Sequence, residues 1–154
     1  MQDSTTKDTV ITICSSAAFY RQAVDIQDKL EALGLKIVVP DLTNTMRQSN
    51  DYDVSHYKTW FENDADYSKK AALMHGHFDK VAATDVILVL NYEKNGKQNY
   101  IGANVLMEMA LAFHFNKPIF ILNEMPEDSP FEEELKGMSP ILLHGKAEDI
   151  AKHL

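Results

Sequence analysis

The chain has one cysteine, no block of lysine or arginine, and no apolar run approaching a membrane span. A single thiol, Cys14, cannot close an internal disulfide, and a transmembrane helix needs about 18 or more consecutive apolar residues. Without a basic block there is little to release counterions from a phosphate backbone. A net charge of −8 and a pI near 5.1 therefore argue against a nucleic-acid polymer as partner, while a free nucleotide stays open. The first eight residues, Met1 to Asp8, lack the apolar centre of a signal peptide, so a cytoplasmic protein is expected, with no membrane association. Repeats and low-complexity tracts are also missing, and the seven methionines are scattered as core filler would be.

What is present fits one globular domain over 1–154, since 154 residues with 45% hydrophobic content can bury a core without metals or disulfides. Thr9 to Cys14 is a β-branched run. It leads into a helix with Phe19, Ala23, Ile26, Leu30 and Leu33 on one face, stopped by Gly34, and then into a strand from Leu35 to Val39. Asp85 to Leu90 and Lys117 to Leu122 repeat the strand pattern without polar alternation, which means both faces are covered. A short strand at Pro140 to Leu143 and a helix from about Ala147 complete the pattern. The predicted fold is an α/β, flavodoxin-like (Rossmann-like) three-layer sandwich around a central parallel sheet of about five strands. In such sheets ligands bind outside the carboxyl ends of the strands.

The segment 41–66 is polar, has no clear period and carries Tyr52, Tyr57, Trp60 and Phe61. It reads either as a lid whose aromatics stack on a flat ligand or as a local helix packing Trp60 and Phe61 against the core.

Glu108 is the outstanding residue. It is a lone acid in the stretch Tyr100 to Phe115, which otherwise carries no Asp, Glu, Lys or Arg and reads as a buried helix. Burial raises a carboxyl pKa unless donors or a cation compensate, so the residue either takes hydrogen bonds from a neighbouring element or serves chemistry. Gly102 opens that helix with bare backbone N–H groups, and Asn104 lies one turn before Glu108 on the same face.

Other candidates are weaker. Cys14-Ser15-Ser16-Ala17 joins the first strand to the first helix, where hydroxyls and N–H groups can hold phosphate or sugar oxygens or simply make a turn; Arg21 follows as a cation. His75 and His77 diverge by about 200° on a helix and have no cysteine near them in sequence, so no metal site is expected, although one of the two can reach the cleft as an acid or base. Asp85 opens its strand at the end away from the cleft and reads as structural. Asn91 leaves the same strand at the cleft end, and with Asn99 it is placed to read a base edge.

The stretch Ala83 to Asn91, then Gly102 to Glu108 and on to Lys117 to Leu122, resembles the nucleoside 2-deoxyribosyltransferase superfamily, which includes the 2′-deoxynucleoside 5′-monophosphate N-glycosidases. The similarity extends to the first strand and helix, including Phe19 to Gln22, and leaves out 41–66. The resemblance implies that Glu108 is a nucleophile that attacks the anomeric carbon, releases the base and leaves a glycosyl-enzyme intermediate for water or a second base. It also implies no cofactor, and a homodimer or higher homo-oligomer.

The chain departs from the family pattern where an Asp is expected before the central strand, since His77 stands there with Asp79 two residues on. It departs again where Gly102 occupies the position of an acid six residues before the nucleophile. His77 or Asp79 is then the acid/base candidate. The Ser15-Ser16 turn with Arg21 resembles the phosphate-binding turn of the monophosphate hydrolases, which favours a nucleoside monophosphate over a free nucleoside. The alternatives are a non-catalytic nucleotide-binding or sensor module of the same fold, and a glycohydrolase acting on a dinucleotide such as NAD.

Overall fold

The computed structural model describes residues 8–154; the remainder of the polar N-terminal segment, 1–7, lies outside the described residues. Five strands form one parallel sheet: β1 (Val10–Ser15), β2 (Lys36–Val38), β3 (Val86–Leu90), β4 (Ile119–Ile121) and β5 (Ile141–Leu142), in the order β2-β1-β3-β4-β5. Every neighbouring pair is parallel, with Cys14 opposite Val89 and Ser15 opposite Leu90 at the carboxyl ends of β1 and β3. This is the flavodoxin-like order, and its switch point lies between β1 and β3, where the chain turns from building one half of the sheet to building the other.

The helices are α1 (Tyr20–Glu31), α2 (Asp41–Ser49), α3 (Tyr67–Ala83), α4 (Ala103–His114) and α5 (Glu132–Gly137), with a 3-10 helix at Ala147–His153 near the end. Strand side chains alternate between the two faces. Ile11, Ile13, Leu88 and Phe120 pack with Ala23 and Leu30 of α1 and with Ile150, whereas Cys14, Ile87, Val89 and Ile121 pack with Val81 of α3, Val105 and Met109 of α4 and Leu135 of α5. All five β3 side chains are buried, as a run without polar alternation requires.

Leu33 departs from the sequence reading. It falls beyond the end of α1, in a turn closed by Gly34 at φ +87°, and is 55% exposed, while Leu35 takes the buried place. The segment 41–66 has more order than its composition suggests. It begins with α2, held to α1 by the two-pronged Arg47–Asp28 pair at 2.9 and 3.0 Å and to α3 by Lys80, which bonds Asp41 and the Val39 carbonyl. Three single-turn 3-10 helices follow, at Val54–His56, Thr59–Phe61 and Asp64–Asp66. Pieces this short have no periodicity for a sequence to display. Asp85 is structural as expected, since its carboxylate accepts the Val10 N–H at 2.8 Å. No helix among the described residues is long and apolar enough to cross a membrane.

Candidate active site

A cleft of about 260 Å³ opens at the switch point, beyond the carboxyl end of β1. Its walls come from Ser15 to Ala17 and Tyr20 on one side, Lys58 and Trp60 of the 41–66 segment above, Lys70 and His77 of α3 behind, and Lys94, Tyr100 and the first turns of α4 opposite. Gly102 caps α4 without a side-chain hydrogen bond, so the first N–H groups of the helix are open toward the cleft. A β-carbon on Gly102 would lie 2.9 Å from the Tyr100 hydroxyl, so glycine is what allows the Tyr100 ring to lie against this helix end.

Glu108 is 9% exposed, and its Oε2 is buried with no hydrogen-bond partner. Burial pushes its pKa up to about 8, partly offset by a hydrogen bond from the Cys14 thiol and by the charge of Lys70. His77 Nε2 lies 3.8 Å from Glu108 Oε2 and 3.5 Å from Cys14 Sγ. Burial pushes His77 down to about 4, helped by Lys80 and opposed by a backbone hydrogen bond with Ile13 and by Asp41. Both shifts, the acid up and the base down, disfavour an ion pair between Glu108 and His77. The Cys14 thiol is pushed well up by burial first and then by Glu108, and the Tyr20 hydroxyl is pushed up in the same way, with Cys14 adding to the effect.

Three residues meet here because three stripes point into one layer. Cys14 shares with Ile87 and Val89 the side of the sheet that packs against α3 and α4, His77 and Val81 are one turn apart on α3, and Glu108 lies between Val105 and Met109 on α4.

Three lysines, Lys58, Lys70 and Lys94, line the cleft of this acidic protein, together with the acids Asp41 and Glu108. Lys94 Nζ donates to Ser16 Oγ at 3.1 Å and sits 4.9 Å from the centre of the Tyr100 ring, and Lys70 Nζ sits 5.8 Å from that of Trp60. Burial pushes Lys58 down, and the charges of Lys70 and Lys94 push it further. Burial also lowers Lys70, with Glu108 pulling the other way.

Of the residues singled out from sequence, Ser15, Ser16, His77, Gly102, Asn104 and Glu108 line this cleft. Asp79 is exposed and Arg21 lies over the Tyr52 ring at 5.5 Å; neither lines the cleft. Asp79 follows His77 by two residues, so the helix turns it about 200° away. Asn91 is fully buried and acts as a clasp: its Nδ2 donates to the Glu124 carbonyl at 2.8 Å, its Oδ1 accepts the Asn123 N–H at 2.9 Å, and its own carbonyl accepts from Asn123 Nδ2 at 3.0 Å. That leaves it no free edge for a base. Asn99, at φ +56°, lines a second cleft between 96–103 and 126–131, which adjoins the first through Tyr100, Gly102 and Ala103.

Sequence reasoning missed Tyr20 and the three lysines, while Trp60, one of the aromatics expected either to stack on a ligand or to pack against the core, is buried and also forms part of the cleft wall. Tyr20 stands beside Arg21 in the helix start already noted. Lys58 and Lys94 lie in loop segments whose path no periodicity reveals. No family model matches the chain, and no curated protein is significantly similar to it.

Proposed function

We propose that the protein cleaves or transfers at the N-glycosidic bond of a nucleoside 5′-monophosphate, with Glu108 as nucleophile. The observation that carries this reading is the unpartnered, buried Glu108 oxygen on the wall of a cleft at the sheet's switch point. A carboxylate held away from water is well suited to stabilise an oxocarbenium-like centre and to bond to it, since its Oε2 has no hydrogen bond to break first. Ionised, Glu108 attacks the anomeric carbon as the glycosidic bond breaks and the base departs with the bonding pair; water or a second base then takes the sugar.

Its pKa of about 8 means that a minor fraction is ionised at pH 7, and Lys70 favours that form. Burial holds His77 at about 4, so it is neither the proton donor to the leaving base nor a favoured acceptor for the Glu108 proton; its imidazole is a neutral neighbour of Glu108 Oε2. The three lysines, Ser15, Ser16 and the open start of α4 support a phosphate at the sugar end in place of Arg21.

The test is to quench a reaction in acid and measure the mass of the peptide containing Glu108. A sugar-phosphate adduct on that peptide, absent in Glu108→Gln, is the expected result; turnover without any adduct in either protein would contradict the nucleophile role. The second reading, a nucleotide-binding module without turnover, draws on the loss of a ready proton donor at His77 and on the absence of an acid at Gly102. A homo-oligomer remains part of the proposal, and the exposed Met107, Phe113 and Phe115 of α4 and its C-terminal end offer an apolar surface for it.

A further inference from the structure

Beneath the cleft, three different metal-binding side chains converge. Cys14 Sγ, His77 Nε2 and a Glu108 carboxylate oxygen all lie within 4.8 Å of one another, with separations of 3.5 Å for sulfur to nitrogen and 3.8 Å for nitrogen to Oε2. A tetrahedral Zn²⁺ with bonds of about 2.0–2.3 Å holds its ligand atoms about 3.3–3.6 Å apart, so two sides of the triangle are already close to those of a bound ion, and the third, sulfur to oxygen, is within 4.8 Å. Two observations set it apart from an ordinary buried cluster. Glu108 is 9% exposed, yet its Oε2 has no hydrogen-bond donor, so a lone pair is already free for a cation. His77 and Glu108 also line the cleft, which gives an ion a way in and leaves room for a fourth, solvent-derived ligand.

We propose that Cys14, His77 and Glu108 form a three-ligand site for a borderline-soft divalent cation, Zn²⁺ above all. The donor set decides the class of ion. A thiolate with an imidazole disfavours Mg²⁺ and Ca²⁺, which want oxygen, and selects Zn²⁺ or its spectroscopic substitute Co²⁺. On binding, the Cys14 thiol and the Glu108 carboxyl give up their protons to solvent, and the thiolate, the imidazole and the carboxylate each give a lone pair to the metal, with no change of oxidation state. The ion then occupies the oxygen that the glycosidic reaction needs. Zn²⁺ is therefore an inhibitor of that reaction and not its cofactor, a consequence that rests on the function proposed above, whereas the binding itself does not.

The test is a titration of the metal-free full chain with Co²⁺ and, separately, with Zn²⁺. The expected results are one ion per chain, a near-ultraviolet thiolate-to-cobalt absorption that disappears in Cys14→Ser, and Zn²⁺ affinity reduced at least about tenfold in Cys14→Ser and in His77→Gln, since even groups that merely support a metal's ligands are worth that much. Thermal melting establishes that each variant is folded, and His77→Gln carries the comparison if Cys14→Ser is not. A Co²⁺ complex without the sulfur band, affinity unchanged in both variants, or no binding by either ion would overturn the site. Unchanged affinity would point to the exposed Asp51–His56–Asp53 group, whose His56 Nδ1 lies 2.7 Å from Asp51 Oδ2 and whose Nε2 lies 3.5 Å from Asp53 Oδ2. Base release assayed with a chelator present reports on the glycosidic reading separately, so failure of either claim is visible by itself.

Discussion

Glu108 Oε2 and His77 Nε2 face each other at 3.8 Å in the buried floor of the cleft, the acid pushed up to about 8 and the base down to about 4. The same cause, loss of water, favours the neutral form of each group. The arrangement stores the acid in its protonated form, and on the function proposed above it must be ionised to act.

Stability should record that storage. Glu108 has an ordinary value of 4.5 and a folded value of about 8, so its contribution is fully present below about pH 4.5 and is lost as pH rises through 8. At about 1.4 kcal/mol per pH unit, the loss amounts to at most about 5 kcal/mol. Glu108→Gln cannot ionise, so its stability relative to wild type should rise by up to that amount between pH 5 and 9, as measured by urea unfolding with a chelator present. His77 has the opposite sign, since its depressed value makes its contribution present above pH 6.5 and lost as pH falls through about 4.

The lysines should separate a phosphate from a bare nucleoside. Replacing Lys58 or Lys94 by Ala removes a charge from the cleft, and loss of one charged contact weakens binding of a nucleoside monophosphate by roughly tenfold, with little change for the nucleoside. Lys70→Ala should do the same and also move the rising limb of any pH–rate profile to higher pH, because Lys70 favours the Glu108 carboxylate. Calorimetric binding and pH–rate profiles of the three variants check this.

Trp60 and Phe61 are neighbours with different roles. Trp60 is 2% exposed and forms part of the cleft wall, while Phe61 is 73% exposed. Trp60→Ala should destabilise the protein by about 3–5 kcal/mol and weaken ligand binding. Phe61→Ala should stay within about 0.5 kcal/mol of wild type. Thermal and denaturant unfolding of both variants decides it.

Asn91→Ala should lose stability and keep specificity. It breaks the side-chain bonds to Glu124 and Asn123 and leaves buried partners unmet, at about 1–3 kcal/mol for each group left unpaired. If the variant instead changed the preference among bases at unchanged stability, Asn91 would have to reach the ligand.

The sheet was readable in the sequence because β3 and β4 are apolar on both faces and β1 is a β-branched run, and Glu108 because it is the one Asp or Glu on a mostly apolar helix. Ser15 and Ser16 followed from the rule that ligands sit at strand carboxyl ends, and Gly102 and Asn104 from their places at the start of the Glu108 helix and one turn before Glu108 on its face. Asn91 obeyed the same rule in position but turned its side chain into the gap between β3 and β4, a choice made by tertiary hydrogen bonds. The contact of Cys14 with His77 spans 63 positions and depends on strand parity and helix rotation together. Lys58 reaches the cleft through consecutive 3-10 turns, where neither period applies. Arg21 failed by one position: Tyr20, its neighbour, is the one that lines the cleft.

The central claim is tested most directly by incubating the metal-free protein with nucleosides, nucleoside monophosphates and NAD, with and without acceptor bases, and following free base by chromatography beside Glu108→Gln. The account expects base release or exchange from a nucleoside monophosphate by the wild type, reduced by several orders of magnitude in the variant while most binding is kept. No release from any compound by the wild type, with a nucleotide still raising its Tm, or release that survives Glu108→Gln unchanged, would contradict it.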